Sequence, residues 1–301
     1  MSVEERQPSR NPFARSDGRP KRLRSSTWKT FAGSPVAVVG ATVVVAVLLF
    51  CFVGPLVYHT DQVHTNLAHV RVAPGREFPL GTDDLGYNVL GRLMVGGRES
   101  MDVGIAAALL ASIVGTLFGA VAGFVGGAVD ALMMRVVDAL ISVPALLLLL
   151  LIASIFRPTL TVMIVAIALV SWVVPARLVR GEARALRSRE FVEAAVGEGA
   201  GIWRIIFRHI IPNVAGVVVV QTTFQVADAI LLLAALSFLG LGPAPPATNW
   251  GGMLNAGLNY AYANDWWLIY PAGIAIVVTV VAFNLLGDAL RDALDVRLQR
   301  R

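Results

Sequence analysis

The sequence predicts an all-α integral membrane protein with six transmembrane helices. Hydrophobic residues make up 56% of the 301 residues and charged residues only 15%, whereas soluble domains carry about 25% charged residues. The mean hydropathy of +0.69 leaves too little polar surface for a soluble fold. The single cysteine, Cys51, excludes a disulfide scaffold. The apolar residues also run continuously without alternation, which favours helices over the strands of a membrane barrel.

Six apolar stretches approach the length of about 20 residues that a helix needs to cross the hydrocarbon core. The third and fourth stretches are the shortest, and only Arg157-Pro158 separates them. These two are therefore predicted to form a tight helical hairpin. The six predicted spans are Pro35–Val57, Val103–Gly127, Ala139–Phe156, Thr159–Ala176, Val214–Leu241 and Leu268–Gly287.

The basic residues predict the orientation of these spans. Residues 1–33 are polar and are expected to form a disordered cytoplasmic tail, while residues 34–301 form one transmembrane domain. With both termini in the cytoplasm, 20 of the 25 Lys and Arg residues lie on the cytoplasmic side, as the positive-inside rule requires. Because topology accounts for the basic excess, nucleic-acid binding loses its support.

The loop after the fourth span carries the most informative pattern. Residues Glu190–Val196 are good helix formers, with Phe191, Ala194 and Ala195 predicted on one side. Three glycines between positions 197 and 201 interrupt this helix, and a second amphipathic stretch runs to Pro212. Two short helices joined by glycines predict a compact knob that projects from the bilayer. An amphipathic helix lying on anionic lipid is the alternative interpretation.

Within this loop, Glu193-Ala194-Ala195, Gly199 and Pro212 are spaced as in a known motif, and they resemble the EAA loop of ATP-binding-cassette importer permeases. The resemblance implies that residues 190–213 form a coupling loop, which sits in a groove on an ATPase subunit. In that interpretation small alanines allow close docking, Glu193 offers a charge, Gly199 permits the turn and Pro212 ends the helix before the fifth span. The implied coupling residues are Phe191, Glu193, Ala194, Ala195, Gly199, Ile211 and Pro212.

Two further blocks resemble the peptide-transporting branch of that family. The segment Phe78–Leu93 is similar to an extracytoplasmic block of the C-type subunit, and Ala235–Gly242 with its following prolines is similar to the end of the fifth span. Together the motifs cover the chain from about residue 35 onward. They imply a type I permease fold and import of dipeptides or oligopeptides across the bacterial cytoplasmic membrane. Nickel or another small solute is the alternative cargo.

The resemblance also implies a set of partners. These are a second permease subunit forming a heterodimer, two ATPase domains, an extracytoplasmic substrate-binding protein and membrane lipid. ATP and Mg would be bound by the partners, because a phosphate loop needs a lysine after its glycines and no lysine follows Lys29 in this chain. The chain is therefore predicted to be a permease subunit without catalytic residues, cofactor or metal of its own. An ion-coupled secondary transporter is the alternative from another class.

Polar and small residues inside the predicted spans give weaker indications. A carboxylate at Asp228 is costly in a membrane, so it either lines the translocation path or bonds to Gln221, Gln225 or a partner helix. Asp228 and Gln225 are the candidate path residues.

The histidines at 59, 64 and 69 lack the spacing of a helical metal site. One face of the second span is predicted to be a packing surface, either within the bundle or toward a partner permease. It consists of Gly115, Gly119 and Gly123.

Overall fold

The computed structural model describes residues 34–299, and the predicted tail at 1–33 lies outside the described residues. The described chain is helical except for loops and one antiparallel bridge between Thr82 and Asn88. Two π-helical segments, Ile206–Ile210 and Ser237–Leu241, flank α10. The α-helices are α1 (Pro35–Phe52), α2 (Gly54–Val57), α3 (Val89–Val125), α4 (Gly127–Ile141), α5 (Ala145–Ile155), α6 (Leu160–Ser171), α7 (Val173–Arg187), α8 (Glu190–Gly197), α9 (Ile202–Ile205), α10 (Ile211–Leu236), α11 (Trp250–Leu258) and α12 (Tyr270–Gln299).

Four helical runs in the described residues are long and apolar enough to cross a membrane. Two bent pairs, α4 with α5 and α6 with α7, pass the same test together, which gives six spans if each pair counts as one. This confirms the predicted all-helical membrane fold. The four long runs are Pro35–Phe52, Val89–Val125, Ile202–Leu241 and Trp266–Leu294.

The predicted second span begins too late. Helix α3 starts at Val89, capped by the Asn88 side chain, which accepts a hydrogen bond from the Gly91 backbone N–H at 3.1 Å. The sequence-based boundary at Val103 was wrong because four charged residues between 92 and 102 lower the local hydropathy. Charged residues are no obstacle to a helix that continues beyond the apolar part of its length.

The predicted third span, Ala139–Phe156, is not one helix. Helices α4 and α5 meet at an angle of 78° around Ser142–Pro144. Pro144 cannot donate a backbone hydrogen bond, and its ring disfavours a helical conformation at the preceding residue. The helix therefore breaks inside the apolar run. As predicted, α5 and α6 pack against each other on either side of Arg157-Pro158.

A second proline bends the fourth predicted span. Helices α6 and α7 differ in direction by 42°, and Pro175, in the first turn of α7, lacks the N–H that would bond the Ser171 carbonyl. That carbonyl instead accepts a hydrogen bond from Gln225 Nε2 of α10 at 2.7 Å. Gln225 Oε1 in turn accepts one from Ser112 Oγ of α3 at 2.8 Å. The bend is therefore held by side chains from two other helices.

Helix α3 lies at the centre of the bundle, where it contacts α1, α6, α7, α10 and α12. Its glycines 115, 119 and 123 face α7 and the residue before it. A Cβ added to Gly115 would lie 2.6 Å from the Pro175 ring, and one added to Gly119 would lie 2.9 Å from the Arg180 backbone nitrogen. The predicted packing surface is thus an internal one.

Replacing Gly119 by alanine should destabilise the bundle, because the new methyl group would meet the α7 backbone. We expect a loss of about 1–3 kcal/mol, typical of overpacking, measured as thermal unfolding of the purified protein in detergent. Gly181→Ala on α7 is the matched control, since a Cβ there meets nothing within 4 Å. Equal melting temperatures for the two variants would contradict this account of the α3–α7 contact.

Candidate functional site

The loop between α7 and α10 contains the first predicted short helix, α8, whereas the second, α9, continues without a break into α10. Helix α8 carries Glu190 and Glu193 in its first turn, where carboxylates suit the positive end of the helix dipole. Gly199 follows α8 with φ of +78°, a left-handed conformation that glycine adopts without strain. The Ala200 N–H then donates to the Ala195 carbonyl at 3.0 Å and closes the helix end.

The inner side of the knob is anchored to the bundle. Val192 is fully buried and Ala195 is 8% exposed, so α8 contacts the rest of the protein through these two residues. They belong to one apolar cluster that joins α3, α7, α8, α9 and α10. The other buried members are Ala120, Phe124, Val179, Ala183, Ile205, Ile206, Ile210 and Val214. The knob is therefore packed as part of the bundle.

The outer side of the knob exposes large apolar side chains beside an acid. Phe191 is 44% exposed, and Glu193 and Ala194 are exposed next to it. The prediction that Ala195 shares this exposed side was wrong, because it faces inward with Val192. Phe191 lies near His209, with 6.2 Å between ring centroids.

Two aromatic residues enlarge this surface and were not predicted. Trp203 and Phe207 are 62% and 57% exposed, and their rings stack with centroids 6.1 Å apart. They are four positions apart, so they lie on one helical face. Two large aromatic residues at this spacing in a polar loop are the sequence signal from which this exposed surface could have been predicted. The exposed aromatics, Glu193 and Ala194 together form what we call the knob surface.

Pro212 does not end a helix, contrary to the prediction. The helical run continues from Ile202 to Leu241, and Pro212 lies in the first turn of α10, directly after the π-helical segment. The wider π turn accommodates a proline that would clash in a regular α-helix. The Asn213 side-chain amide donates to the His209 carbonyl at 2.6 Å. Ile211 is partly buried and Pro212 is exposed.

Ion pairs tie the helix that leads into the knob to its neighbour. Arg180 of α7 holds Asp130 of α4 through two hydrogen bonds of 2.5 and 2.6 Å. Arg177 and Asp138 of the same two helices are 2.5 Å apart but are more exposed. The residues of the two pairs are 39 and 50 positions apart along the chain, so no local sequence pattern indicates their pairing.

The two candidate path residues are not brought together. Gln225 is 3% exposed and bonded inside the bundle, as described above. Asp228 is exposed on α10, and within the described residues its carboxylate has neither a hydrogen bond nor an ion pair with Gln221, Gln225 or any other side chain. Of the two, only Asp228 faces away from the bundle.

The outer-loop histidines have separate surroundings. His64 Nδ1 lies 2.9 Å from Asp61 Oδ2, and the His69 ring contacts Phe78. Hydrogen bonds from the His64 and Val63 backbone N–H groups lower the pKa of Asp61 to about 2. Across residues 34–299, no group of three His, Cys, Asp or Glu residues is arranged to hold a metal ion.

The described chain is thus a helical bundle with several apolar helices long enough to span a membrane and a loop of short helices, Glu190–Ile210, packed against it. Residues 115–300 match the family described as binding-protein-dependent transport system inner membrane component. Residues 23–74 match the N-terminal transmembrane domain of oligopeptide transport permease C. The chain belongs to the first of these families, and it is a multi-pass permease subunit rather than an enzyme.

Curated relatives of similar length support this assignment. The oligopeptide transport system permease protein OppC of Escherichia coli (strain K12) is 42% identical over 269 residues, which cover 89% of each chain. Its namesake in Bacillus subtilis (strain 168) is 38% identical over 279 residues, 91% of each chain. The dipeptide transport system permease protein DppC of the same Bacillus strain is 36% identical over 273 residues, 91% of this chain and 85% of the relative.

The Asp130–Arg180 pair should stabilise the α4–α7 contact more than its neighbour does. A double-mutant cycle with alanine at both positions is expected to give a coupling energy of about 1 kcal/mol, the upper end for partly exposed pairs. The same cycle at Asp138 and Arg177 is the control and should give about 0 kcal/mol, because that pair is more solvated. Thermal unfolding in detergent measures both, and equal couplings would contradict the assignment.

Proposed function

We propose that this chain imports dipeptides or oligopeptides across the bacterial cytoplasmic membrane as one of two unlike permease subunits. The cargo class is supported by the names of the relatives, which transport oligopeptides and dipeptides. Two ATPase domains would bind ATP and Mg in the cytoplasm, and an extracytoplasmic binding protein would deliver the peptide. Both termini of this chain would be cytoplasmic, in agreement with the distribution of Lys and Arg.

The knob surface is the observation that carries this proposal. Exposed aromatic side chains in one loop, with the carboxylate of Glu193 exposed close to Phe191 in the sequence, fit a protein partner. Docking of an ATPase domain would bury Phe191, Trp203 and Phe207 and place Glu193 against a basic or hydrogen-bond-donating group. Coupling requires that these contacts differ between the two states of the transporter.

Movement of the knob would pass into the bundle by two routes. Helix α10 continues directly from α9 and the π segment, so it would move with the knob. Helix α7 precedes the knob and is packed on α3 and tied to α4. Because Val192 and the isoleucines at 205, 206 and 210 are buried between these helices, displacement of the knob would move the bundle helices with it.

The exposed carboxylate of Asp228 is proposed to face the translocation path between the two permeases. A carboxylate facing lipid at this depth would cost about 2.5–3.5 kcal/mol or more, whereas water in a shared path would solvate it. Gln225 would contribute indirectly, by holding the bend beside the path.

Changes to the charge or to the turn of the knob should uncouple transport. Glu193→Lys is expected to reduce peptide uptake into proteoliposomes by about tenfold or more, the effect of losing one charged contact. Gly199→Val should also reduce uptake, because valine is strained at the φ of +78° that this turn requires. The variants should still insert into the membrane, because neither residue is buried. Glu198→Lys is the matched control, since a cation suits the C-terminal end of α8. Normal uptake by the first two variants would contradict the coupling role.

Asp228→Cys should react with a membrane-impermeant thiol reagent in the assembled transporter. The native Cys51 is fully buried and should give a low background. Val277→Cys, on the exposed apolar side of α12, is the control and should stay unlabelled in lipid. If both variants are labelled equally, or if neither is labelled, the proposal that Asp228 faces the path is contradicted.

ATP dependence separates this proposal from an ion-coupled transporter. Uptake should stop when ATP is omitted and should persist when the ion gradients are collapsed. Peptide-stimulated ATPase activity of the intact complex and identification of ligand eluted from its binding protein test the cargo. Eluted nickel in place of peptide would support the alternative solute.

A further inference from the structure

A cavity of about 490 Å³ opens at the far end of α10 from the knob. Helix α10 has 26 residues, which at 1.5 Å per residue separates its two ends by about 39 Å. The cavity lies on the predicted extracytoplasmic side. Its walls come from four parts of the chain: residues 83–92 of the outer loop and the first turn of α3, the segment 237–249 that follows α10, residues 252–259 of α11 and its end, and Leu268.

One wall is fixed by a buried arginine. Arg92 is 8% exposed, and its Nη1 donates to the Pro246 carbonyl at 3.1 Å, which ties the outer loop to the segment after α10. Its guanidinium stacks on the Tyr87 ring at 4.3 Å and lies 3.6 Å from Asp83 Oδ2. Burial raises the pKa of Asp83, although the Tyr87 N–H and Arg92 act in the opposite direction. Contacts within the chain therefore fix this wall.

Two polar groups in the cavity make no hydrogen bond within the described residues. Asp84 lines the cavity, and its carboxylate has no hydrogen bond or ion pair with any residue that the structure describes. Ser237, in another wall, is 2% exposed, and its Oγ has no hydrogen-bond partner. A buried hydroxyl without a partner is unfavourable, so this atom is suited to a ligand.

The charged residues that line the cavity indicate which kind of ligand it can bind. Asp83, Asp84 and Arg92 are the charged residues of the cavity, and Asp83 is paired with Arg92. Two carboxylates and one guanidinium give these residues a formal net charge of −1, which favours a ligand with one positive charge. The cavity is within the size range of small-molecule sites, and the described residues contain no cluster of metal ligands.

We propose that this cavity binds the amino-terminal end of the peptide cargo, with its α-ammonium group at Asp84 and a backbone polar group at the Ser237 hydroxyl. The inference rests on the proposed import of peptides and adds a site on the permease itself. The cavity would receive the peptide after its release from the binding protein. A loop of the binding protein with a basic side chain is the competing occupant.

The test uses the complete transporter with its binding protein in lipid nanodiscs. The probe is the tripeptide Ala-Ala-benzoylphenylalanine, which cross-links on illumination, and its N-acetylated form. In the wild type we expect the free-amine probe to label residues 237–259 about tenfold more than the acetylated probe, because acetylation removes the ammonium. Asp84→Asn should lower labelling by the free amine to the acetylated level. Ser237→Ala should lower it about threefold, as for one neutral hydrogen bond.

Two matched control variants test whether the labelling depends on the residues that line the cavity. Glu77→Gln removes an exposed carboxylate of the same outer loop, and Ser154→Ala removes an exposed hydroxyl of α5. Neither residue lines the cavity, so both variants should label like the wild type. Size-exclusion profiles and ATPase activity verify that every variant assembles.

Three outcomes would overturn the inference. These are equal labelling by the two probes, unchanged labelling of Asp84→Asn, and loss of binding-protein capture by Asp84→Asn, which would assign the cavity to the competing occupant. Peptide uptake by the wild-type complex is measured in parallel. If the wild type imports peptide but its cavity is not labelled, only this inference fails, whereas absence of wild-type uptake is a failure of the proposed function.

Discussion

Close contact between the backbones of α3 and α7 is the constraint on which the rest of the structure depends. Within a membrane, helices gain no hydrophobic energy from meeting one another, so their association relies on close packing of small residues and on hydrogen bonds. Glycines at 115, 119 and 123 provide that packing along two turns of α3. Because α7 leads directly into α8, the same contact also fixes where the knob leaves the bundle.

The second constraint is the pairing of backbone groups that prolines leave open. Pro175 frees the Ser171 carbonyl, and Gln225 bonds it from α10. An unpaired carbonyl inside a membrane costs several kcal/mol, so a buried glutamine in an apolar helix has a structural reason. Pro212 is accommodated differently, because it directly follows a π-helical turn, Ile206–Ile210, in which the regular α-helical hydrogen bonding is already changed.

The sequence was sufficient to predict the features that depend on a local pattern of residues. Continuous apolar runs predicted the helical membrane fold, the glycine spacing predicted a packing face, and the glycines near 199 predicted two short helices. Helix ends were less predictable, since the charged first part of α3 lowers hydropathy without preventing a helix. The inward position of Ala195 and the exposure of Trp203 depend on which face of a short helix meets the bundle. Contacts such as Arg92 with Pro246 join residues 154 positions apart, and no local pattern encodes them.

Helix α10 relates the knob to the outer cavity. It is an uninterrupted α-helix between two π-helical segments, one beside the knob and one in the cavity wall. A regular helix transmits displacement along its length, while π turns are where helices change direction or register. Ser237 begins the outer π segment, and Gly240 within it has φ of +82°. Under the proposed coupling, a shift of α10 driven from the knob would act first on the wall that carries the unpaired Ser237 hydroxyl. A ligand in the proposed site would then, by linkage, alter the position of the knob.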